Sequence, residues 1–148
     1  MARRSPALVL VHLVWSTKAR RRLLPQGFDA ALGQMLGSIA HQRRCVALSF
    51  GCADDHLHMI VRLSPTATLA DLAHDLKGAS AHDINRRALL PWRLAWQAGY
   101  WAESLSPADI SPLRAYLRFQ RAHHDDSHPA ELWQRSLTSL EPARPGGL

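Results

Sequence analysis

The sequence predicts one α+β domain, in which a four-stranded antiparallel sheet packs against helices. Short apolar, β-branched runs alternate with segments whose apolar residues recur at helical spacing. Their order along the chain is strand, helix, strand, strand, helix, strand, helix. The length of 148 residues, 47% of them hydrophobic, suits a single domain with its own core.

The first strand is predicted over residues 8–15, where the sequence LVLVHLVW is almost continuously apolar. Such a run is typical of a central strand that is buried on both faces. The basic stretch TKARRRLLP leads out of this strand. From Phe28 onward, apolar residues recur every three or four positions, which predicts a helix over about residues 27–41.

A hairpin is predicted next. The run CVALSF at residues 45–50 forms its first strand, residues 51–55 form the turn, and residues 56–63 form its second strand. The two strands have to pair antiparallel, because the connection between them is too short for a crossover.

Two more helices and a short strand complete the predicted domain. A helix follows Thr68, which has an aspartate three residues later as in a capping box, and runs to about Arg87. A short strand is expected near residues 100–103, and the last helix begins at one of two Ser-Pro pairs and reaches about His124. This is the split βαβ, ferredoxin-like order, which places two helices on one face of the sheet.

The predicted domain spans the whole chain, residues 1–148, with an ordered core over about residues 8–124 and a frayed tail over residues 125–148. The sheet face opposite the two helices is left for the last helix or for a ligand.

Charge and composition narrow the classes of partner. The chain has 18 Lys and Arg against 12 Asp and Glu, a net charge of +6, which favours a polyanion and most simply nucleic acid. A basic surface without a ligand is the alternative. Two cysteines without a paired motif suggest a reducing compartment. The first apolar run is too short to span a membrane, so we expect a cytoplasmic protein with no membrane contact.

Two histidines, His56 and His58, stand one residue apart at the start of the predicted third strand. Side chains alternate between the faces of a strand, so both imidazoles share one face with Ile60 and Arg62. Residues two apart on one face have Cα atoms about 6.5–7 Å apart, close enough for both imidazoles to reach one metal ion. We interpret the pair as metal ligands, and buried structural histidines are the alternative.

The last predicted helix carries a tyrosine and a glutamine on one face. Tyr116 and Gln120 are spaced i, i+4, and Leu113 and Leu117 beside them turn this face toward the protein body. A buried amide needs polar partners, so Gln120 is predicted to give an oxygen ligand to the same cation. Tyr116 would then lie beside the metal as a nucleophile, whereas Tyr100 is predicted to be a core residue.

The motif HLHMIV, followed by a helix containing YLRFQ, resembles the HUH-type single-tyrosine transposases of small bacterial insertion sequences. It equally resembles their relatives associated with extragenic palindromic repeats. The segments HLVWSTKARRR, GCADDHLHMIVRLSP, LKGASAHDINRR and WQAGYWAES are similar to further parts of the family, in the same order. The resemblance covers roughly residues 8–124. This chain has Asp54 where the family often has proline, and Ala19 where it often has an aromatic residue.

The resemblance implies a transposase and endonuclease that cleaves and rejoins single-stranded DNA near hairpins through a 5′-phosphotyrosine. It implies that His56, His58 and Gln120 bind Mg²⁺ or Mn²⁺ and that Tyr116 is the nucleophile, with no nucleotide cofactor. It also implies a homodimer, often with the tyrosine helix of one subunit completing the site of the other. The candidate contacts to DNA phosphates are Lys18, Arg20, Arg21, Arg22, Lys77, Arg86 and Arg87.

Other functions are possible on the same fold. One alternative is a non-catalytic regulator that binds single-stranded nucleic acid. Sheets that bind RNA usually present aromatic side chains on the open face of their central strands. The predicted third strand presents His56, His58 and Arg62 there, which favours a metal site. A phosphoesterase with two H-x-[ST] motifs is disfavoured because the sequence has no such pair.

Overall fold

The computed structural model describes residues 7–121. Within them, short 3-10 helices at Lys18–Arg20 and Gln26–Phe28 lie between the first strand and the first α-helix. The longer elements are β1 (Val9–Ser16), α1 (Asp29–Gln42), β2 (Val46–Cys52), β3 (His56–Leu63), α2 (Leu69–Arg86), β4 (Trp101–Leu105) and α3 (Pro107–Arg118).

The four strands form one sheet in the order β2-β3-β1-β4, and all neighbouring strands are antiparallel. β1 and β3 are therefore the central strands. In their register Val14 lies opposite His58, and on the other side of β1, His12 lies opposite Glu103 of β4. The predicted α+β class with split βαβ connections is confirmed.

The two faces of the sheet bury different sets of side chains. Leu57, Met59 and Val61 of β3 lie in the main core, which also contains buried leucines of α1 and α2. On the opposite face, Ile60 packs with Leu113 and Leu117 of α3. The alternation expected from the sequence holds, and α3 covers the face on which the two histidines lie.

The predicted boundaries of the hairpin differ slightly from the structure. β2 continues through Gly51 and Cys52, because these residues still pair with His58 and Leu57 of β3. The turn is therefore shorter than the predicted residues 51–55. β4 begins and ends later than the predicted residues 100–103.

The last helix begins at the first of the two Ser-Pro pairs. Ser106 is its N-cap, and a reciprocal capping box with Asp109 fixes this start. α3 ends at Arg118 rather than near His124, so Gln120 lies in a turn just beyond the helix. Residues 122–124 and the predicted tail lie outside the described residues.

None of the described helices combines the length and the apolar character that crossing a membrane requires.

Candidate active site

His56 and His58 lie side by side at the start of β3, on the face covered by α3. Their ring centroids are 5.2 Å apart and the rings are inclined at 70°. His56 is 8% exposed and His58 is 1% exposed, so the protein rather than water surrounds both imidazoles. The structure thus brings the two predicted ligands together on one face.

A carboxylate and an amide fix the orientation of His56. Its Nδ1 lies 2.7 Å from Oδ1 of Asp55, and its Nε2 lies 3.0 Å from Nε2 of Gln120. The Asp55 carboxylate also accepts a hydrogen bond from Nε of Arg20 at 3.1 Å. Burial alone would raise the pKa of Asp55, but the hydrogen bonds from His56 and Arg20 outweigh it and hold the pKa well below its ordinary value. An ionised Asp55 makes Nδ1 of His56 the protonated nitrogen and leaves a lone pair on Nε2.

His58 is held by His12, a third histidine that was not among the predicted site residues. Nδ1 of His58 lies 2.9 Å from Nε2 of His12, and Nδ1 of His12 lies 3.0 Å from Oε1 of Glu103. Burial lowers the pKa of His12 to about 4. Burial, and to a lesser degree His56 and His12, also holds the pKa of His58 well below its ordinary value, so both rings are neutral at pH 7. Burial, and to a lesser degree Asp109, raises the pKa of Glu103.

One sequence signal could have identified His12. It is the single polar residue in the run LVLVHLVW, and a strand buried on both faces has no solvent to satisfy an imidazole there. Its partner Glu103 could not be identified in this way, because the cross-strand register of β1 and β4 was unknown.

Gln120 is brought onto the histidines by the turn after α3. Its side chain is 6% exposed, and its amide Nε2 donates to His56. Two buried polar atoms lie at this site. Oε1 of Gln120 and Nε2 of His58 have no hydrogen-bond partner among residues 7–121. Buried polar atoms are rarely left unpaired, and two such atoms at one site suit a bound ion, water or substrate.

Arg121 fastens the same turn to the rest of the domain. Its guanidinium donates two hydrogen bonds to the carboxylate of Asp29, at 3.0 and 2.6 Å, and one to Asp54 at 2.6 Å. It also donates to the carbonyl of Leu24 at 3.0 Å. Asp54, one of the two positions that depart from the family resemblance, therefore has a structural partner in this chain.

A glycine allows α3 to lie close to the sheet. A Cβ atom built on Gly51 would stand 2.7 Å from the carbonyl oxygen and 2.9 Å from Cβ of Leu117. Any side chain at this position would push α3 outward. Gly51 thereby determines the distance between α3 and the sheet, and with it the positions of Tyr116 and of the turn containing Gln120.

The two tyrosines occupy different surroundings. Tyr116 is half-buried and packs against the cluster of Ile60, Leu113 and Leu117, on the same face of the sheet as the histidines. Tyr100 is 40% exposed, so the prediction that it is a core residue was wrong. It precedes β4 and lines an open cavity of about 410 Å³ together with His56.

The predicted DNA-contacting residues fall into two groups. The first group is exposed, in and after the 3-10 helix that follows β1, and consists of Lys18, Arg20, Arg21 and Arg22. Arg20 is linked to the site because it donates to Asp55, which is hydrogen-bonded to His56.

The second group is engaged within the protein. Nζ of Lys77 donates to the carbonyls of Gln97 and Gly99, at 2.7 and 2.6 Å. Arg86 and Arg87 are exposed and both pair with Asp83.

A family model described as "Transposase IS200 like" matches residues 7–120, which is nearly all of the described chain. The chain belongs to this transposase family. It is therefore a member of a family of DNA-processing enzymes, and the family resemblance inferred from the sequence is confirmed.

A curated relative of this chain is the ISDra2 transposase TnpA of Deinococcus radiodurans. The two are 31% identical over 70 residues, which are 47% of this chain and 50% of the relative. The aligned region thus spans about half the length of that protein.

Two solved structures share the transposase fold. One is a protein from Deinococcus radiodurans R1 described as a transposase, with a TM-score of 0.63 and 23% identity, over 82% of this chain and 97% of that one. The other is a REP-associated tyrosine transposase bound to a REP hairpin, with a TM-score of 0.61 and 15% identity, over 84% of this chain and 75% of that one. At these identities the likeness establishes the fold.

The donor set of this chain fits a weakly held divalent cation. Among residues 7–121, no three His, Cys, Asp or Glu side chains are grouped as metal donors, so a third protein ligand has to be of another type. The amide oxygen of Gln120 is such a ligand, and it is one of the two unpaired buried atoms. Two imidazole nitrogens and one amide oxygen suit an open divalent-cation site, with positions left for other ligands, better than a closed four-ligand structural zinc site.

Proposed function

We propose that this transposase cleaves and rejoins single-stranded DNA near hairpins, with Tyr116 as the nucleophile and a divalent metal at His56, His58 and Gln120. One observation carries the proposal. Two buried polar atoms of the site, Nε2 of His58 and Oε1 of Gln120, have no partner in the described part of the chain. Both belong to side chains that the sequence alone suggested as ligands.

Mg²⁺ or Mn²⁺ would be held by Nε2 of His56, Nε2 of His58 and Oε1 of Gln120. The Gln120 amide now donates to His56, so it has to turn over to offer its oxygen. When bound, the cation polarises the scissile phosphate and stabilises the charge that develops on it. Imidazole is a softer ligand than Mg²⁺ prefers, so we expect weak binding without DNA.

The tyrosine chemistry conserves the energy of the phosphodiester bond. The phenolate oxygen of Tyr116 attacks the phosphorus, a new P–O bond forms, and the bond from phosphorus to the DNA 3′-oxygen breaks. The products are a free 3′-hydroxyl and a 5′-phosphotyrosine. A 3′-hydroxyl then attacks the phosphotyrosine, which rejoins the DNA and releases the tyrosine, so no nucleotide cofactor is needed.

The exposed basic segment beside the site is proposed to hold the DNA backbone. Lys18, Arg20, Arg21 and Arg22 are exposed, and the chain carries a net charge of +6. The hairpin bound by the REP-associated transposase of the same fold supports a hairpin as the substrate feature. Further phosphate contacts are proposed for Lys77, Arg86 and Arg87, whose present partners lie within the protein.

We also propose that the protein acts as a homodimer. β2 is an edge strand of the sheet with Val46 48% exposed, which offers a surface for a second copy. In the single chain, Gln120 contacts His56 of the same chain, which favours a site completed in cis. Mixed dimers of Tyr116→Phe and His58→Ala subunits distinguish the two arrangements, because only the trans arrangement leaves one complete site.

A gel assay for a covalent adduct tests the function. The protein is incubated with labelled single-stranded DNA carrying candidate hairpins, with Mn²⁺ or with a chelator, and run on a denaturing gel. We expect a metal-dependent adduct that Tyr116→Phe abolishes and the matched variant Tyr100→Phe retains. Hairpin binding by the wild type without any adduct would instead support the non-catalytic regulator.

A further inference from the structure

A chain of three side chains crosses the sheet behind His58. Glu103 on β4, His12 on β1 and His58 on β3 are joined by hydrogen bonds of 3.0 and 2.9 Å. His12 is 2% exposed and lies between two partners on neighbouring strands. Its ring is nearly parallel to that of His58, at 19°, and stands at 82° to the ring of Trp101. Packing therefore fixes the orientation of His12.

The hydrogen bonds permit one arrangement of protons with an ionised glutamate. A carboxylate only accepts, so Nδ1 of His12 carries the hydrogen and donates to Glu103. Nε2 of a neutral His12 then has a lone pair and accepts from Nδ1 of His58. The neutral His58 consequently carries no hydrogen on Nε2, the buried atom that lacks a partner among residues 7–121.

The opposite arrangement is less favourable for two reasons. It requires a protonated Glu103 to donate to His12. It also places a hydrogen on Nε2 of His58, which would then be a buried donor without an acceptor in the described part of the chain. A buried N–H donor without an acceptor is unfavourable because it has lost its hydrogen bonds to water.

We propose that His12 and Glu103 are positioning residues that fix the tautomer and orientation of His58, so that its Nε2 lone pair faces the metal site. This inference rests on the proposed metal function. The Asp55 carboxylate orients His56 directly, through a hydrogen bond of 2.7 Å that the carboxylate accepts from Nδ1. For His58, the corresponding carboxylate is that of Glu103, which acts through His12. Partners of this kind commonly change metal affinity by about 10–100-fold.

Two measurements on the metal-free and metal-loaded protein test the inference. Nitrogen-15 NMR of the metal-free protein identifies the protonated ring nitrogen of each histidine. Titration with Mn²⁺, followed by the electron paramagnetic resonance signal of the free ion, gives the affinity without any DNA or catalysis. The variants are His12→Leu, which removes the acceptor, and His12→Gln, whose amide oxygen can still accept from His58.

Leu10→Ala is the matched control. Leu10 precedes His12 by two residues, so it shares the same face of β1, and it is 5% exposed. Its truncation should lower stability while leaving the hydrogen bonds of the site intact. It therefore separates general damage to the sheet from loss of the hydrogen-bonded chain Glu103–His12–His58, which we call the relay.

We expect the hydrogen of wild-type His58 on Nδ1, a 10–100-fold weaker Mn²⁺ affinity in His12→Leu, substantial recovery in His12→Gln and wild-type affinity in Leu10→Ala. A hydrogen on Nε2 of His58, or equal Mn²⁺ affinity in wild type and His12→Leu, would overturn the relay alone. If the wild type fails to bind Mn²⁺ at millimolar concentration, or if His56→Ala binds Mn²⁺ as tightly as the wild type does, the proposed metal site itself is wrong and the relay has no function.

Discussion

Replacing Gly51 by alanine should move α3 away from the sheet. The added Cβ would lie 2.7 Å from the carbonyl oxygen of Leu117, and ordinary contact begins at 3.4 Å, so about 0.7 Å of movement is required. The obstructing atoms include backbone of α3, which cannot rotate aside as the end of a side chain can. Overpacking of this kind costs about 1–3 kcal/mol of unfolding free energy.

The same movement should impair chemistry, because Tyr116 and Gln120 lie on either side of Leu117 along the chain. A displacement near 1 Å in an active site can lower the rate about 100-fold. We expect Gly51→Ala to lose stability in urea unfolding and to form the covalent DNA adduct about 10–100-fold more slowly.

Gly78→Ala provides the matched control for this change. Gly78 lies within α2 and a Cβ there would meet nothing within 4 Å, so alanine should raise stability by about 0.5–1 kcal/mol and leave adduct formation unchanged. If Gly51→Ala matched the wild type in both stability and adduct rate, the argument that Gly51 sets the position of α3 would be refuted.

Three further predictions concern stability, thiol chemistry and DNA binding. Arg121→Met should lower the free energy of unfolding in urea by about 1–3 kcal/mol, because the carboxylates of Asp29 and Asp54 lose a charged donor. An unchanged free energy would show that these ion pairs do not stabilise the turn after α3. Burial raises the pKa of Cys52 above its ordinary 9.0, so stability should fall as the pH rises above about 9, when only the unfolded thiol ionises. This loss should be absent in Cys52→Ala. For single-stranded DNA, Arg21→Gln combined with Arg22→Gln should reduce the slope of log affinity against log salt by about 1.4, and an unchanged slope would exclude both phosphate contacts.

Much of the fold could be predicted from the periodicity of the apolar residues and the order of the predicted elements alone. The alternation along β3 placed His56 and His58 on one face, and the structure agrees because the intervening residues are needed in the core. The i, i+4 spacing of Tyr116 and Gln120 brought both to the correct face, although the helix ends between them. The face on which two closely spaced residues lie can therefore be predicted even when the end of their helix is predicted several residues too late.

The supporting contacts could not be predicted in this way. The hydrogen bond from His12 to Glu103 depends on the register of β1 with β4, which no local pattern specifies. The ion pairs of Arg121 join residues 92 and 67 positions apart. The aromatic neighbours of Tyr100 indicate a core residue, whereas the structure places Tyr100 just before β4, where it lines an open cavity.

The central claim is that Tyr116 forms the covalent bond to DNA at the metal site, and peptide mapping of the adduct tests it most directly. Trypsin cleaves after Arg114 and Arg118, so Tyr116 falls in the four-residue peptide AYLR, while Tyr100 falls in a separate peptide that begins at Leu94. After nuclease digestion of an adduct formed with Mn²⁺, mass spectrometry should find the phosphonucleotide remnant on AYLR. A remnant on the peptide containing Tyr100, or on any residue other than Tyr116, would contradict the account.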